Sequence, residues 1–256
     1  MKRYLNNMKY KALIFDLDGT AIEKQIEALP SKVVIEAVQK AREKVIVSVA
    51  TGRPFNRCRN IIKNLGITDL CIVSGGTEII DPVTEKIIWT KVIKKTDLRF
   101  ILNVCVLYPY EILFSKEIKG LPAKDKNIDK DENVVFIMNV NPNDVKNIII
   151  EINKNKNLIA HETSAWTEGK FDIHVTNIEA SKKNALIKWL ELLKLNKKDV
   201  IAVGDNKNDL PLFEEAGFKV AVGNAAEELK AKADYIAPSV YNDGLVDVIN
   251  KFILKV

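Results

Sequence analysis

The chain has 256 residues, of which 47% are hydrophobic, and it contains 11 Gly and 8 Pro; this composition is ordinary for a globular protein and excludes a disordered chain. The formal net charge is +5, but lysines and arginines are scattered among acidic residues, so we expect no nucleic-acid partner. A mildly basic surface suits an anionic small substrate, and a solvated lysine-rich surface explains the charge equally well.

The sequence also gives expectations about the compartment. No apolar run reaches the length of a membrane span, and the N-terminus lacks the apolar segment of a signal peptide. The three cysteines, Cys58, Cys71 and Cys105, lack metal-ligand spacing, and a sparse, odd number of them suits a reducing compartment. We therefore expect a cytoplasmic protein without a membrane partner, in which Met8 is an alternative start.

The first predicted strand is the apolar run Ala12-Leu13-Ile14-Phe15, and two aspartates follow it. Such a run is typical of a strand buried on both faces of a parallel sheet. Asp16, Asp18 and Gly19 would then lie at the carboxyl edge of the sheet, where open α/β folds bind ligands. Asp and Gly are also common turn residues, so a polar turn is the alternative.

A helix from Ser31 leads to the second predicted strand, residues 45–50, which ends in Thr51-Gly52-Arg53-Pro54. Pro54 suits the first turn of another helix, which Gly66 would end. Thr51 would thus lie between a strand end and a helix start, where free backbone N–H groups bind anions. An ordinary helix N-cap explains Thr51 equally well.

In the last third of the chain, Ser181 is the predicted N-cap of a helix that has Lys182 and Lys183 in its first turn. Positive charge opposes the helix dipole there, and a broken local rule can indicate function, although exposed lysines break this rule at little cost. The third predicted strand, residues 200–203, ends in Gly204-Asp205-Asn206-Lys207-Asn208-Asp209. This segment is compatible with a polar turn, but it lacks the spacing and the closing Glu of an EF-hand loop.

These four elements, in this order, resemble the four motifs of the haloacid dehalogenase-like (HAD) hydrolase superfamily. The matching segments are Asp16-Leu17-Asp18-Gly19-Thr20 (DxDGT), Thr51-Gly52-Arg53, Lys182 and Gly204-Asp205-Asn206-Lys207-Asn208-Asp209 (GDxxND). The resemblance is greatest to the Cof-type branch, class IIB. The chain departs from that branch at Lys183, where Gly is usual, and in Ser74-Gly75-Gly76, where the branch has Asn-Gly-Ala.

The resemblance implies an α/β fold with two domains. Residues 1–80 and 178–256 would form a Rossmann-like parallel-sheet core, and residues 81–177 would form an inserted α+β cap domain of class C2. Alternating apolar patterns in the insert predict an antiparallel sheet and two helices, with strands at 87–90, 111–115, 134–140, 159–163 and 171–175 and helices at 98–107 and 144–152. We expect the Lys- and Asp-rich residues 116–133 to be a surface loop, and the protein to be a monomer or a homodimer.

For function, the resemblance implies Mg²⁺-dependent hydrolysis of phosphate monoesters of small metabolites, with sugar phosphates as one candidate. Asp16 would be the nucleophile that forms an aspartyl-phosphate. Asp18 would protonate the leaving alkoxide and then deprotonate the attacking water. Dehalogenases of the superfamily lack this second aspartate, so Asp18 favours phosphate-ester chemistry.

The resemblance also assigns the ligands. The phosphoryl group would be bound by Thr51, Lys182, Asn208 and the backbone at Leu17 and Gly52. The metal would be bound by Asp16, by the backbone carbonyl of Asp18 and by Asp205, while Asp209 would orient metal-bound waters.

Polar residues late in the insert are candidates for substrate contact, namely Trp166, Glu168, Asp172 and His174. Alternation along residues 171–175 puts Asp172 and His174 on one face of a strand and the apolar residues on the other. For each of the four, sheet surface or core packing is the alternative, and we expect His161 to be structural.

Two other functions stay open at this point. One is a phosphotransferase, such as a phosphomutase, which would share the aspartyl-phosphate. The other is a catalytically silent binding protein on the same scaffold, against which the presence of all four motifs argues.

Overall fold

The computed structural model describes residues 8–24, 28–114, 117, 119–165 and 167–256. The strands within these residues are β1 (Ala12–Phe15), β2 (Ile46–Val49), β3 (Cys71–Val73), β4 (Glu78–Ile80), β5 (Ile87–Thr90), β6 (Glu111–Phe114), β7 (Leu121–Pro122), β8 (Val134–Val140), β9 (Leu158–Ser164), β10 (Phe171–Asn177), β11 (Val200–Gly204), β12 (Phe218–Ala221) and β13 (Tyr235–Ile236). The α-helices are α1 (Lys32–Arg42), α2 (Phe55–Asn64), α3 (Lys95–Cys105), α4 (Pro142–Ile152), α5 (Lys182–Leu193), α6 (Leu210–Glu214), α7 (Glu227–Lys230) and α8 (Gly244–Ile249).

The chain packs as two compact units, one up to Trp89 and from Ser181 onward, and the other from Thr90 to Ala180. The first contains a five-stranded parallel sheet in the order β13-β12-β11-β1-β2. The α/β fold with a central parallel sheet is therefore confirmed. The predicted insert, residues 81–177, stays a prediction as a domain, because a packing unit need not fold or function alone.

Three strands of this sheet are buried on both faces, as their largely apolar sequences predicted. Every residue of β1, β2 and β11 is buried. Trp189 of α5 is fully buried in the apolar core of this unit and donates its indole N–H to the Leu70 carbonyl at 2.7 Å. Helices α1, α2 and α5 follow the predicted pattern, and Ser31 and Ser181 cap α1 and α5 through their hydroxyl oxygens.

A smaller sheet, β3-β4-β5, adjoins the parallel sheet in the first unit. A bridge between Ala50 and Ile72 places β3 alongside the end of β2. Pro54 is the N-cap of α2 and not its first residue, and Gly66 follows that helix at φ +70°. Backbone hydrogen bonds from Thr51 to the Ile72 carbonyl and from Ser74 to the Arg53 carbonyl hold the loop after β2 against the end of β3.

The second unit has a five-stranded sheet in the order β7-β6-β8-β10-β9, and each described pair is antiparallel. Helices α3 and α4 share one apolar cluster with this sheet. The predicted antiparallel sheet is confirmed. The expected surface loop at 116–133 is wrong in part, because β7 pairs with β6 and a 3₁₀ turn follows at Ala123–Asp125. The polar composition of this segment predicts a loop, and the pairing with β6 could not be predicted because it depends on tertiary contacts.

Ile173 and Val175 of β10 lie in the apolar cluster, as the alternation predicted. Asp172 is buried, and its Oδ1 accepts a hydrogen bond at 2.8 Å from the backbone N–H of Asn139, which has φ +54°. The pairing register of β8 and β10 shifts next to this bond. Asp172 therefore stabilises a β-bulge by accepting this hydrogen bond, which is a structural role.

The other insert candidates have varied surroundings. His174 lies against Phe136 and His161, and its Nε2 is 3.3 Å from the Thr163 hydroxyl. Burial, with a smaller effect of His161, lowers the pKa of His174 to about 3. Glu168 is exposed, and Trp166 lies outside the described residues. Among the helices that the structure describes, none is both long and apolar enough to cross a bilayer.

Candidate active site

The three strand ends identified from the sequence meet at one edge of the parallel sheet. β1 lies between β11 and β2, with Phe15 in register with Val203 and with Val49. Asp16 therefore follows β1 beside Asp205, which follows β11, and Thr51 follows β2 on the other side. This edge, called the carboxyl edge below, is where the loops of a parallel sheet present side chains to ligands.

Lys182 reaches this edge from the first turn of α5. Its Nζ donates hydrogen bonds to Asp16 Oδ1 at 2.9 Å and to Asp209 Oδ1 at 2.6 Å, and only 3% of its surface is exposed. Burial opposes the charge, but the two carboxylates outweigh it and hold the pKa of Lys182 above its usual value. The lysine is therefore a fixed cation, and its position at the start of a helix has a local explanation in these two partners.

Three buried carboxylates, those of Asp16, Asp205 and Asp209, have oxygens within 4.8 Å of one another. Burial raises the pKa of Asp16 to about 8, with Lys182 opposing the shift, and burial together with Asp209 raises the pKa of Asp205 to about 6. Such shifts mark a site that lacks positive charge. Carboxylate oxygens are ligands that Mg²⁺ prefers, so the cluster fits a divalent cation.

Asp209 differs from the other two, because protein donors already occupy both of its oxygens. Its Oδ1 accepts from Lys182, and its Oδ2 accepts from the backbone N–H groups of Asp205 at 3.0 Å and Asn206 at 3.3 Å. Asp209 therefore fixes the loop after β11 and leaves Asp16 and Asp205 as the freer carboxylates.

Asp18 is paired with Arg53 in a two-bond fork. Arg53 Nε donates to Asp18 Oδ2 at 2.8 Å, and Nη2 donates to Oδ1 at 2.5 Å. Both side chains are partly exposed, at 28% for Asp18 and 17% for Arg53. The hydrogen bond to Asp18 raises the pKa of Arg53, so the guanidinium stays charged. The sequence placed Arg53 in a motif but gave no partner for it.

The candidate phosphate ligands differ in exposure. Thr51 is fully buried, and its hydroxyl oxygen accepts the Arg53 N–H at 3.1 Å, which leaves its own O–H free to donate. Leu17 is buried, whereas Gly52 and Asn208 are exposed, Asn208 on the 3₁₀ turn Lys207–Asp209.

Asn224 supports the carboxyl edge in a way that the sequence did not indicate. Its Nδ2 donates to the Gly19 carbonyl at 2.8 Å, and its Oδ1 accepts from the Val240 N–H at 2.7 Å. A polar residue after a strand gives no sign of a partner so distant in the sequence.

Gly76 allows the start of α5 to approach the loop after β3. Gly76 has φ +98°, and a Cβ at this position would lie 2.3 Å from the backbone carbon of Ser181 and 2.4 Å from the nitrogen of Lys182. No side chain fits in that space. The departure at Gly76 from the usual Ala therefore accompanies a close backbone contact that positions Lys182.

The sequence of the chain matches the model of a known protein family. The sequence model for haloacid dehalogenase-like hydrolases matches two overlapping segments, residues 13–136 and 116–249. The chain belongs to the haloacid dehalogenase-like hydrolase family. The predicted family is thereby confirmed, and the carboxyl edge holds the residues of all four of its predicted motifs.

Two curated relatives that cover nearly the whole of this hydrolase are phosphatases. It is 31% identical over 251 residues to the 5-amino-6-(5-phospho-D-ribitylamino)uracil phosphatase of Bacillus subtilis, covering 95% of this chain and 96% of the relative. It is 26% identical over 245 residues to the phosphoglycolate phosphatase of Methanosarcina acetivorans, covering 94% and 96%.

Solved structures share the fold of this HAD-like hydrolase. One from Bacteroides thetaiotaomicron, a haloacid dehalogenase-like hydrolase, gives a TM-score of 0.79 at 21% identity over 95% of this chain and 99% of that one. A subclass IIB sugar phosphatase gives 0.73 at 20% identity over 94% and 98%.

The close approach at Gly76 predicts that Gly76→Ala is more destabilising than Gly75→Ala. Both glycines have positive φ, but a Cβ at Gly75 would meet nothing within 4 Å, so Gly75→Ala carries only the cost of the backbone conformation, about 1 kcal/mol. Gly76→Ala should lose at least about 2 kcal/mol more, because backbone must move. Urea unfolding of both variants measures the difference, and equal losses would contradict the account.

Proposed function

We propose that this HAD-like hydrolase is a Mg²⁺-dependent phosphatase that hydrolyses phosphate monoesters of small metabolites through an aspartyl-phosphate on Asp16. The observation that carries the proposal is the arrangement of Asp16 beside the buried ammonium group of Lys182 and the buried carboxylate of Asp205, with Asp18 two residues away. Phosphatase relatives along nearly the whole chain support it.

Mg²⁺ would be held by Asp16, Asp205 and the backbone carbonyl of Asp18. The buried, undercompensated carboxylates of Asp16 and Asp205 support this site. When bound, Mg²⁺ would offset the repulsion between the anionic nucleophile and the anionic phosphate. Asp209 would orient metal-bound waters and hold Lys182, which is consistent with the donors that already occupy its oxygens.

In the first step, a carboxylate oxygen of Asp16 would attack phosphorus while the bond from phosphorus to the ester oxygen breaks. Asp18, protonated, would give its proton to that ester oxygen, so the product leaves as an alcohol. Lys182, the Thr51 hydroxyl, Asn208 and the backbone N–H groups of Leu17 and Gly52 would hold the phosphoryl oxygens. Donors fixed before the reaction stabilise the charge that spreads over these oxygens.

In the second step, a water would attack the phosphorus of the aspartyl-phosphate. Asp18, now a carboxylate, would take a proton from that water, and the bond between Asp16 and phosphorus would break. Phosphate leaves, Asp16 is again a carboxylate and Asp18 is again protonated. One residue serves both steps because it alternates between its two protonation states.

The α+β unit from Thr90 to Ala180 would be the cap domain of this enzyme, of the class C2 type. We expect preference among leaving groups to depend on this unit, since the core residues above deal with the phosphoryl group common to all esters. The relatives act on different alcohols by their names, a ribitylaminouracil and glycolate, so the substrate class here is a small phosphorylated metabolite, with sugar phosphates among the candidates.

The proposed nucleophile predicts that the purified protein hydrolyses p-nitrophenyl phosphate and that Asp16→Asn loses about a thousandfold or more of kcat, since nothing else supplies the covalent step. Asp129→Asn, which changes an exposed aspartate, is the matched control and should keep wild-type activity. Release of p-nitrophenolate measures both. If Asp16→Asn still hydrolyses this ester at the wild-type rate, Asp16 is not the nucleophile.

The proposed metal site predicts that Mg²⁺ binds the protein in the absence of substrate and that Asp205→Asn weakens this binding by about tenfold or more, because a charged ligand is lost. Isothermal titration calorimetry with MgCl₂ measures the affinity without any turnover. Asp129→Asn again serves as the control, and unchanged Mg²⁺ affinity in Asp205→Asn would contradict the site.

A further inference from the structure

Arg53 occupies both carboxylate oxygens of Asp18, the residue proposed as the acid and base. Its Nε and Nη2 each donate to a different oxygen, at 2.8 Å and 2.5 Å. A two-bond fork between a guanidinium and a carboxylate fixes the plane of the carboxyl group as well as its distance. A single hydrogen bond would leave that plane free to rotate.

The backbone of Arg53 is itself fixed on both sides. Its N–H donates to the Thr51 hydroxyl oxygen at 3.1 Å, and its carbonyl accepts from the Ser74 N–H at 2.9 Å. The residue thus lies in a loop tied to the ends of β2 and β3, immediately before α2. The guanidinium extends from a rigid base, so it can set the orientation of Asp18.

The fork is compatible with proton transfer from Asp18 when one of its two bonds opens. A protonated carboxyl group has one oxygen that accepts hydrogen bonds and one hydroxyl that donates. When an ester oxygen takes the place of one Arg53 donor at the hydroxyl, the other Asp18 oxygen can keep its bond to Arg53. The carboxyl group then stays in the plane that directs its proton to the leaving oxygen.

We propose that Arg53 is the positioning residue for Asp18, and that it contributes to catalysis by orienting this carboxyl group for proton transfer to the leaving oxygen. This inference rests on the proposed phosphatase function. A structural role is the competing explanation, in which the ion pair only joins the loop after β1 to the start of α2. The two differ in their dependence on the leaving group.

The test compares kcat/KM for two esters, glycerol 2-phosphate and p-nitrophenyl phosphate. The ratio kcat/KM reports steps up to the first irreversible one, which is formation of the aspartyl-phosphate. A glycerol alkoxide needs a proton at that step, whereas p-nitrophenolate is a stable anion and does not. A misoriented Asp18 therefore slows only the alkyl ester.

In Arg53→Gln we expect kcat/KM for glycerol 2-phosphate to fall by about 10- to 100-fold, which is less than the full contribution of general acid catalysis, about 100- to 10,000-fold, because Asp18 is still present. The value for p-nitrophenyl phosphate should change by no more than about threefold. Arg53→Lys keeps the charge but not the fork, so it should recover part of the loss. Arg59→Gln is the matched control, because Arg59 lies on α2 and pairs with the exposed Glu85. In this variant kcat/KM for each of the two esters should equal the wild-type value.

Equal losses for the two esters in Arg53→Gln, or no loss for either, would overturn the positioning role. If Arg53→Gln does not fold, Arg53→Lys decides, with a larger loss for the alkyl ester expected and equal losses overturning the proposal. Failure of the phosphatase function itself is distinguishable, because the wild-type protein would then hydrolyse neither ester.

Discussion

The ammonium group of Lys182 lies between two buried carboxylates, and the arrangement of the carboxyl edge depends on it. Asp16, Asp205 and Asp209 are each less than a tenth exposed, and like charges so close together repel strongly where water is scarce. Lys182 neutralises part of this charge through bonds to Asp16 and Asp209. A divalent cation would compensate the remaining negative charge. Lys182 and the proposed Mg²⁺ would thus together neutralise the three carboxylates.

The position of Lys182 is determined by backbone contacts on the opposite side of the helix start. Gly76 lets the loop after β3 approach Ser181 and Lys182 more closely than any side chain would allow. Asn224 similarly holds the carbonyl of Gly19, in the loop that carries Asp16 and Asp18. Fixed loops allow the donors to be in place before the substrate arrives, which is how electrostatic stabilisation lowers a barrier without reorganisation.

Much of this arrangement could be predicted from the sequence, since apolar runs marked β1, β2 and β11, and parallel strands bring their carboxyl ends to one edge. Lys182 could be predicted as a functional residue because a positive charge in the first turn of a helix opposes the helix dipole. The fork between Asp18 and Arg53 could not be predicted, because their 35-residue separation carries no pattern. The role of Asp172 depends on a bulge in a neighbouring strand, and β7 is a two-residue strand set by pairing; both are products of tertiary contacts.

The central claim, that Asp16 forms a covalent aspartyl-phosphate, is tested most directly in Asp18→Asn with p-nitrophenyl phosphate. Without the base of the second step, while the first step needs no acid for this leaving group, the intermediate should accumulate. Rapid mixing should give a burst of about one p-nitrophenolate per enzyme, and peptide mass spectrometry after acid quenching should place the phosphoryl group on Asp16. A phosphoryl group on another residue, or turnover of this ester with neither burst nor modified Asp16, would contradict the account.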